Sequence, residues 1–166
     1  LSLRLRGGVI DSFGRSNKLY PQHNLDGSLA TDAAGNQLYF KPGVAYYNKF
    51  YLGGPTTLRG YEFRDVSPRD PSGEPIGGKT YGFFSAEYSM DIVSPIRFAV
   101  FYDAGSVSAD PYSLSGPFDD NWGLGIRLNI PHLGPLRLDY GIPIHHDPNN
   151  GPGGQFQFGV GYQRPF

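Results

Sequence analysis

Hydrophobic and polar residues alternate with a period of two in segments of about ten residues, and this is the dominant pattern of the chain. Leu1, Leu3 and Leu5 alternate with Ser2, Arg4 and Arg6. From Thr80 onward Phe84, Ala86, Tyr88 and Met90 share one face, and Phe83, Ser85, Glu87, Ser89 and Asp91 share the other. Phe98, Val100 and Tyr102 oppose Arg97, Ala99, Phe101 and Asp103. Next, Trp122, Leu124, Ile126, Leu128 and Ile130 oppose Asn121, Gly123, Gly125, Arg127 and Asn129. Leu136, Leu138, Tyr140 and Ile142 alternate with Arg137, Asp139 and Gly141. The last such segment sets Phe156, Phe158, Val160 and Tyr162 against Gln155, Gln157, Gly159, Gly161 and Gln163. Successive strand side chains point to opposite faces, so each segment predicts a two-faced strand, six in all. A further short strand is predicted over 44–52, VAYYNKFYL.

The connections are of two kinds. Residues 92–96 and 131–134 are short, whereas 105–120, 144–154 and above all 11–78 are long and rich in Gly, Pro, Asp and Asn. Alternating short turns and long loops are the mark of antiparallel barrel strands. No repeat, charge block or linker divides the chain, so residues 1–166 are expected to be part of one domain. Leu1 opens inside a strand pattern with no signal peptide before it, so the sequence is expected to begin in mid-protein. No run approaches the ~18 apolar residues that a membrane-spanning helix needs.

A soluble barrel also alternates, with its apolar face inward. The opposite face here mixes Glu87, Asp103, Arg127, Arg137 and Asp139 with glycine, a poor soluble core because an unpaired buried charge is costly. A hydrated barrel lumen removes that difficulty, and Trp122, Tyr140, Phe156 and Tyr162 suit aromatic girdles at lipid interfaces. The final strand stays amphipathic to the terminal Phe166, the pattern of bacterial outer-membrane proteins. Six strands are fewer than the roughly eight with which single-chain barrels begin, so either the rest of the wall comes from a larger protein, the simpler expectation, or fragments associate. Composition agrees: Gly 24, Tyr 12 and Phe 12 suit strands and turns, and Cys 0 removes disulfides and thiolate chemistry. A net charge of −1 shows no sign of a nucleic-acid binder.

Candidate chemistry is sparse. Neither GGPTTLRGY nor GPGGQFQFGVG follows a strand and opens a helix, as a phosphate cradle would. His145 and His146 beside Asp147 would suit a metal, but they lie in a Pro/Asn/Gly loop. No nucleophile elbow presents a hydrolase triad, so neither catalytic residues nor a cofactor is expected.

The segment Phe50–Tyr61, FYLGGPTTLRGY, resembles the long-loop signature of the BamA family, in particular Leu58-Arg59-Gly60-Tyr61. SAEYS at 85–89, FYDAGSV at 101–107, GLGIRLNIPHLGPLRLDYGIPI at 123–144 and FQFGVGY at 156–162 follow in the same order. The resemblance implies strands eleven to sixteen of a sixteen-stranded outer-membrane barrel, with residues 11–78 holding a long loop that folds into the lumen. It also implies that Arg59 meets Glu87 and Asp103 there. The implied role is insertion and folding of other outer-membrane β-barrel proteins in the bacterial outer membrane. Partners would be its lipids, nascent barrel proteins, and the remaining strands and periplasmic domains of the full-length protein. Phe156, Phe158, Gly159, Val160, Gly161, Tyr162 and Phe166 would form one side of a labile seam, where glycine either weakens the edge or only relieves crowding. The alternatives are a TamA-like or partner-secretion transporter of the same superfamily, and a small structural or pore-forming barrel.

Overall fold

A computed structural model of the chain describes residues 1–14, 18–40, 43–130, 134–145 and 153–161. Tyr162 and Phe166 of the expected seam, and His146 and Asp147, lie outside the described residues.

The chain is all-β. Six strands form one antiparallel sheet: β1 (Ser2–Val9), β4 (Thr80–Val93), β5 (Ile96–Ser108), β6 (Phe118–Ile130), β7 (Gly134–His145) and β8 (Gln155–Val160). Their spatial order is β1-β4-β5-β6-β7-β8, so each strand lies beside its predecessor once the long loop has been passed. Strands β4 to β7 run 12 to 14 residues, above the roughly 9–11 that a tilted strand needs to cross a bilayer. A two-stranded sheet of β2 (Tyr20–Pro21) and β3 (Tyr39–Phe40) lies within the long loop.

Register turns the alternation into two opposite surfaces. Tyr102 pairs with Trp122 and Trp122 with Ile142; Val100 pairs with Leu124, Leu124 with Tyr140 and Tyr140 with Phe156. Leu5 pairs with Phe84 at the other edge. These side chains make an apolar surface across all six strands, and most of them are exposed, as hydrocarbon contact requires. The concave face carries Ser85, Asp103 and Asn121 in one register row, and Glu87, Phe101, Gly123 and Gly141 in the next. Residues of the long loop lie on this face: Leu52, Leu58, Tyr61 and Val66 pack with Phe83 and Val107 into the buried apolar cluster.

The sheet is an open part of a barrel wall. β1 and β8 form its two edges and are not paired with each other. The strand expected over 44–52 does not form. Tyr46–Asn48 make a single 3-10 turn, and Phe50 and Leu52 contribute only isolated bridges, to Gly78 and Val66. Aromatic content raises β propensity, but a ladder needs consecutive pairing with one partner strand, and among the described residues Phe50 and Leu52 bridge to two different segments.

Candidate functional site

The turn at Leu58–Tyr61 is held by its own backbone. Gly54 donates its N–H to both Leu58 O at 3.1 Å and Tyr61 O at 3.2 Å, and the Tyr61 N–H returns to Leu58 O at 3.2 Å. Gly53 and Gly54 stand at φ of 103° and 98°, the left-handed region that favours glycine. A side chain on Gly53 would also collide with the Glu62 carbonyl at 2.2 Å. The hairpin so formed drives Leu58 and Tyr61 into the apolar cluster and aims Arg59 at the wall.

Arg59 is 4% exposed. Its Nε and second terminal nitrogen donate to the two oxygens of Asp103 at 2.8 and 2.9 Å, the forked geometry in which guanidinium and carboxylate fit best. Its other terminal nitrogen donates to Glu87 at 2.7 Å and lies 3.4 Å from Asp139. The guanidinium carbon lies over the Phe101 ring, 3.5 Å from its centroid. The backbone N–H of Arg59 also reaches Asp103, at 3.3 Å. Burial alone would lower the affinity of Arg59 for its proton. The hydrogen bond and charge of Asp103, joined by Asp139 and Glu87, outweigh it and hold the guanidinium above its ordinary value.

The carboxylates are shared. Arg127 donates to Glu87 at 2.8 Å and to Asp139 at 2.5 Å, and Arg137 lies 3.3 Å from Asp139. Three guanidinium groups thus face three carboxylates, and the cluster is neutral as a unit. That balance makes a buried charge cluster tolerable.

Gly60 and Gly141 bring loop and wall into direct backbone contact. A Cβ on Gly60 would lie 2.6 Å from the Asn121 Cβ, and one on Gly141 would lie 2.6 Å from the Gly60 nitrogen. Around this contact three further ties form. The Tyr61 hydroxyl points at the carbonyls of Asp120, 3.0 Å away, and His145. Arg137 donates to the Pro55 carbonyl at 2.5 Å, and the Gln157 amide donates to the Tyr61 carbonyl at 3.1 Å.

Of the residues singled out in the sequence, Leu58, Arg59, Gly60 and Tyr61 therefore lie against the concave face, with Glu87 and Asp103 beside Arg59. The expected seam residues do not join them: Phe156, Phe158 and Val160 point outward on edge strand β8, Gly159 bears no side chain there, and Gly161 follows the strand's end. Asp139, Arg127, Arg137, Gly141 and Gln157 complete the site and were not singled out as its members. Their shared parity with Glu87 and Asp103 was the available signal. No group able to hold a metal ion occurs among the described residues. His145 instead pairs with Asp120 at 2.7 Å.

An antiparallel sheet, apolar outside and charged inside, with a loop bound to its inner face, defines a segment of a plugged outer-membrane-type β-barrel. Residues 1–163 match the Omp85 superfamily domain, and the chain belongs to that superfamily. It is 33% identical to an outer membrane protein assembly factor BamA from Nitratidesulfovibrio vulgaris, over 92% of this chain and 20% of that protein. It is 28% identical to a SAM50-like protein of Drosophila melanogaster, over 69% of this chain and 27% of that one. The chain thus spans about a fifth to a quarter of the length of these relatives. Its fold is similar to the crystal structure of BamA from Haemophilus ducreyi lacking POTRA domains 1–3, with a TM-score of 0.55. That likeness covers 68% of this chain and 26% of the solved one at 22% identity.

Proposed function

We propose that this chain is the C-terminal wall of a bacterial outer-membrane barrel that inserts and folds other outer-membrane β-barrel proteins. The observation that carries the reading is the buried Arg59 turn, bonded to the wall through Asp103 and Glu87 in a chain of this superfamily. A loop tied to several strands at once braces a barrel from within. In a barrel so braced an edge strand can open and offer an unpaired edge, on which a client strand can be templated by β-augmentation. The partners are membrane lipids, nascent barrel proteins, and the other strands and periplasmic domains of the full-length protein. The role makes and breaks no covalent bond, so no catalytic residue is assigned.

The test is reconstitution of the full-length protein in liposomes, scoring insertion of an unfolded client barrel by its resistance to added protease. The wild type is expected to accelerate insertion and Arg59→Ala to lose most of that acceleration. Export of a soluble client with no effect on barrel insertion would move the assignment to a secretion transporter of the same superfamily.

A further inference from the structure

β8 is the shortest strand of the large sheet and an edge, hydrogen-bonded on one side only among the described residues. Phe156, Phe158 and Val160 leave it on the exposed face. Its concave face carries Gln155, Gln157 and Gly159, and of these Gln157 reaches the loop. The carbonyl that its Nε2 binds, Tyr61 O, is the one that accepts Gly54 N–H and closes the turn presenting Arg59. In register Gln157 stands opposite Asp139, which is already engaged by Arg59, Arg127 and Arg137. The position suits a neutral donor. A carboxylate there would face both Asp139 and the Tyr61 carbonyl, and an alkyl side chain would leave that carbonyl one donor short.

We propose that Gln157 is a positioning residue that couples edge strand β8 to the Leu58–Tyr61 turn, so that displacing either one loosens the other. Because the coupling is a single free energy, it acts in both directions. Movement of β8 away from β7 withdraws the amide from the turn, and loss of the turn frees β8 on its loop side. The inference rests on the reading of the Arg59 turn as a brace, but it is measured without any client.

The experiment is hydrogen exchange followed by mass spectrometry on the full-length protein in lipid nanodiscs. Peptides covering 155–161 and 54–62 are read, with 98–104 of β5 as the internal reference. Gln157→Leu is expected to raise exchange in both test peptides about fivefold to tenfold, the factor for one hydrogen bond, with the reference unchanged. Gln157→Glu is expected to do at least as much. Tyr61→Phe removes the hydroxyl but keeps the carbonyl; it is expected to raise β8 exchange in the wild-type background and add nothing in Gln157→Leu. The proposal is overturned if the 54–62 peptide is indifferent to Gln157→Leu, or if Tyr61→Phe multiplies β8 exchange equally in both backgrounds. Intact client insertion by Arg59→Ala alongside coupled exchange would sink the proposed function and leave the coupling standing.

Discussion

Arg59 concentrates the energetics of the site. Its charge is buried and held by two carboxylates, so truncation leaves Asp103 uncompensated in the interior. Arg59→Ala is expected to cost about 3–5 kcal/mol of barrel stability, the range for breaking a buried pair from one side. Arg59→Lys keeps the charge but loses the fork on Asp103, so it is expected to fall between the two. Heat-modifiability on gels, or denaturant titration in detergent, ranks the three proteins. Adding Asp103→Ala to Arg59→Ala is expected to cost much less than the sum of the single losses; full additivity would argue against their contact. At Gly60 the argument is steric. Alanine there must displace Asn121 from the wall, so Gly60→Ala is expected to cost about 1–3 kcal/mol by the same assay. The likeness of residues 50–61 to the family's loop signature points to Arg59 with Glu87 and Asp103, a meeting that the alternation by itself does not specify. It did not single out Asp139 or Gly141, because parity states which face a residue occupies but not how far along the barrel a loop descends.

At the scale of elements, the strands were legible and the loop was not. Ile126 shows why. Lipid on one side and lumen on the other constrain every second residue of β6, so a period-two pattern persists through Gly123 and Gly125, which are poor strand formers. Ile126→Arg on the lipid face is therefore expected to cost about 2–4 kcal/mol, measured by refolding into bilayers, although Arg127 is accommodated one residue on. No such constraint acts within 11–78. The loop is built from hairpin turns in which a glycine N–H bonds the carbonyl three residues earlier: Gly27 to Asn24, Gly35 to Asp32 and Gly73 to Asp70. All three glycines lie at φ between 83° and 91°. Such Asn/Asp-x-x-Gly spacings are turn signals, but which flanking residues then pair depends on contacts that no local pattern contains. The Asp70 turn also has a pH signature. The Ser72 hydroxyl, then the Glu74 amide, hold its carboxyl below the ordinary 3.8. A group with a depressed folded pKa stabilises its turn above the unfolded value and loses that contribution as pH falls through the folded one. The Ser72 and Glu74 amide resonances are thus expected to titrate with a midpoint below 3.8, and a midpoint at or above it would remove Asp70 from this role.

For the whole molecule the decisive property is that loop and sheet complete one another while the sheet's own edges stay open. The concave face of β4 to β7 carries Glu87, Asp103 and Asp139, which bond Arg127 and Arg137 of the wall and Arg59 of the plug. Arg59 reaches carboxylates on three strands at once, Glu87 of β4, Asp103 of β5 and Asp139 of β7, which argues that loop insertion and wall formation occur together. The edges are a different matter. In hydrocarbon each unpaired backbone group costs several kcal/mol, so β1 and β8 must find partner strands wherever this sheet lies in a bilayer. Under the proposed function, further wall strands of the same barrel would meet that need. The 166-residue chain refolded by itself in detergent has only other copies to turn to, and it is expected to sediment as assemblies of two or more chains. β8, at six residues against eight for β1, offers the shorter edge, so charged substitutions on β1 are expected to disperse the assemblies more effectively than the same changes on β8. A monodisperse single copy, protected from exchange along both edges, would mean that β1 and β8 close on each other. The wall would then be self-sufficient at six strands.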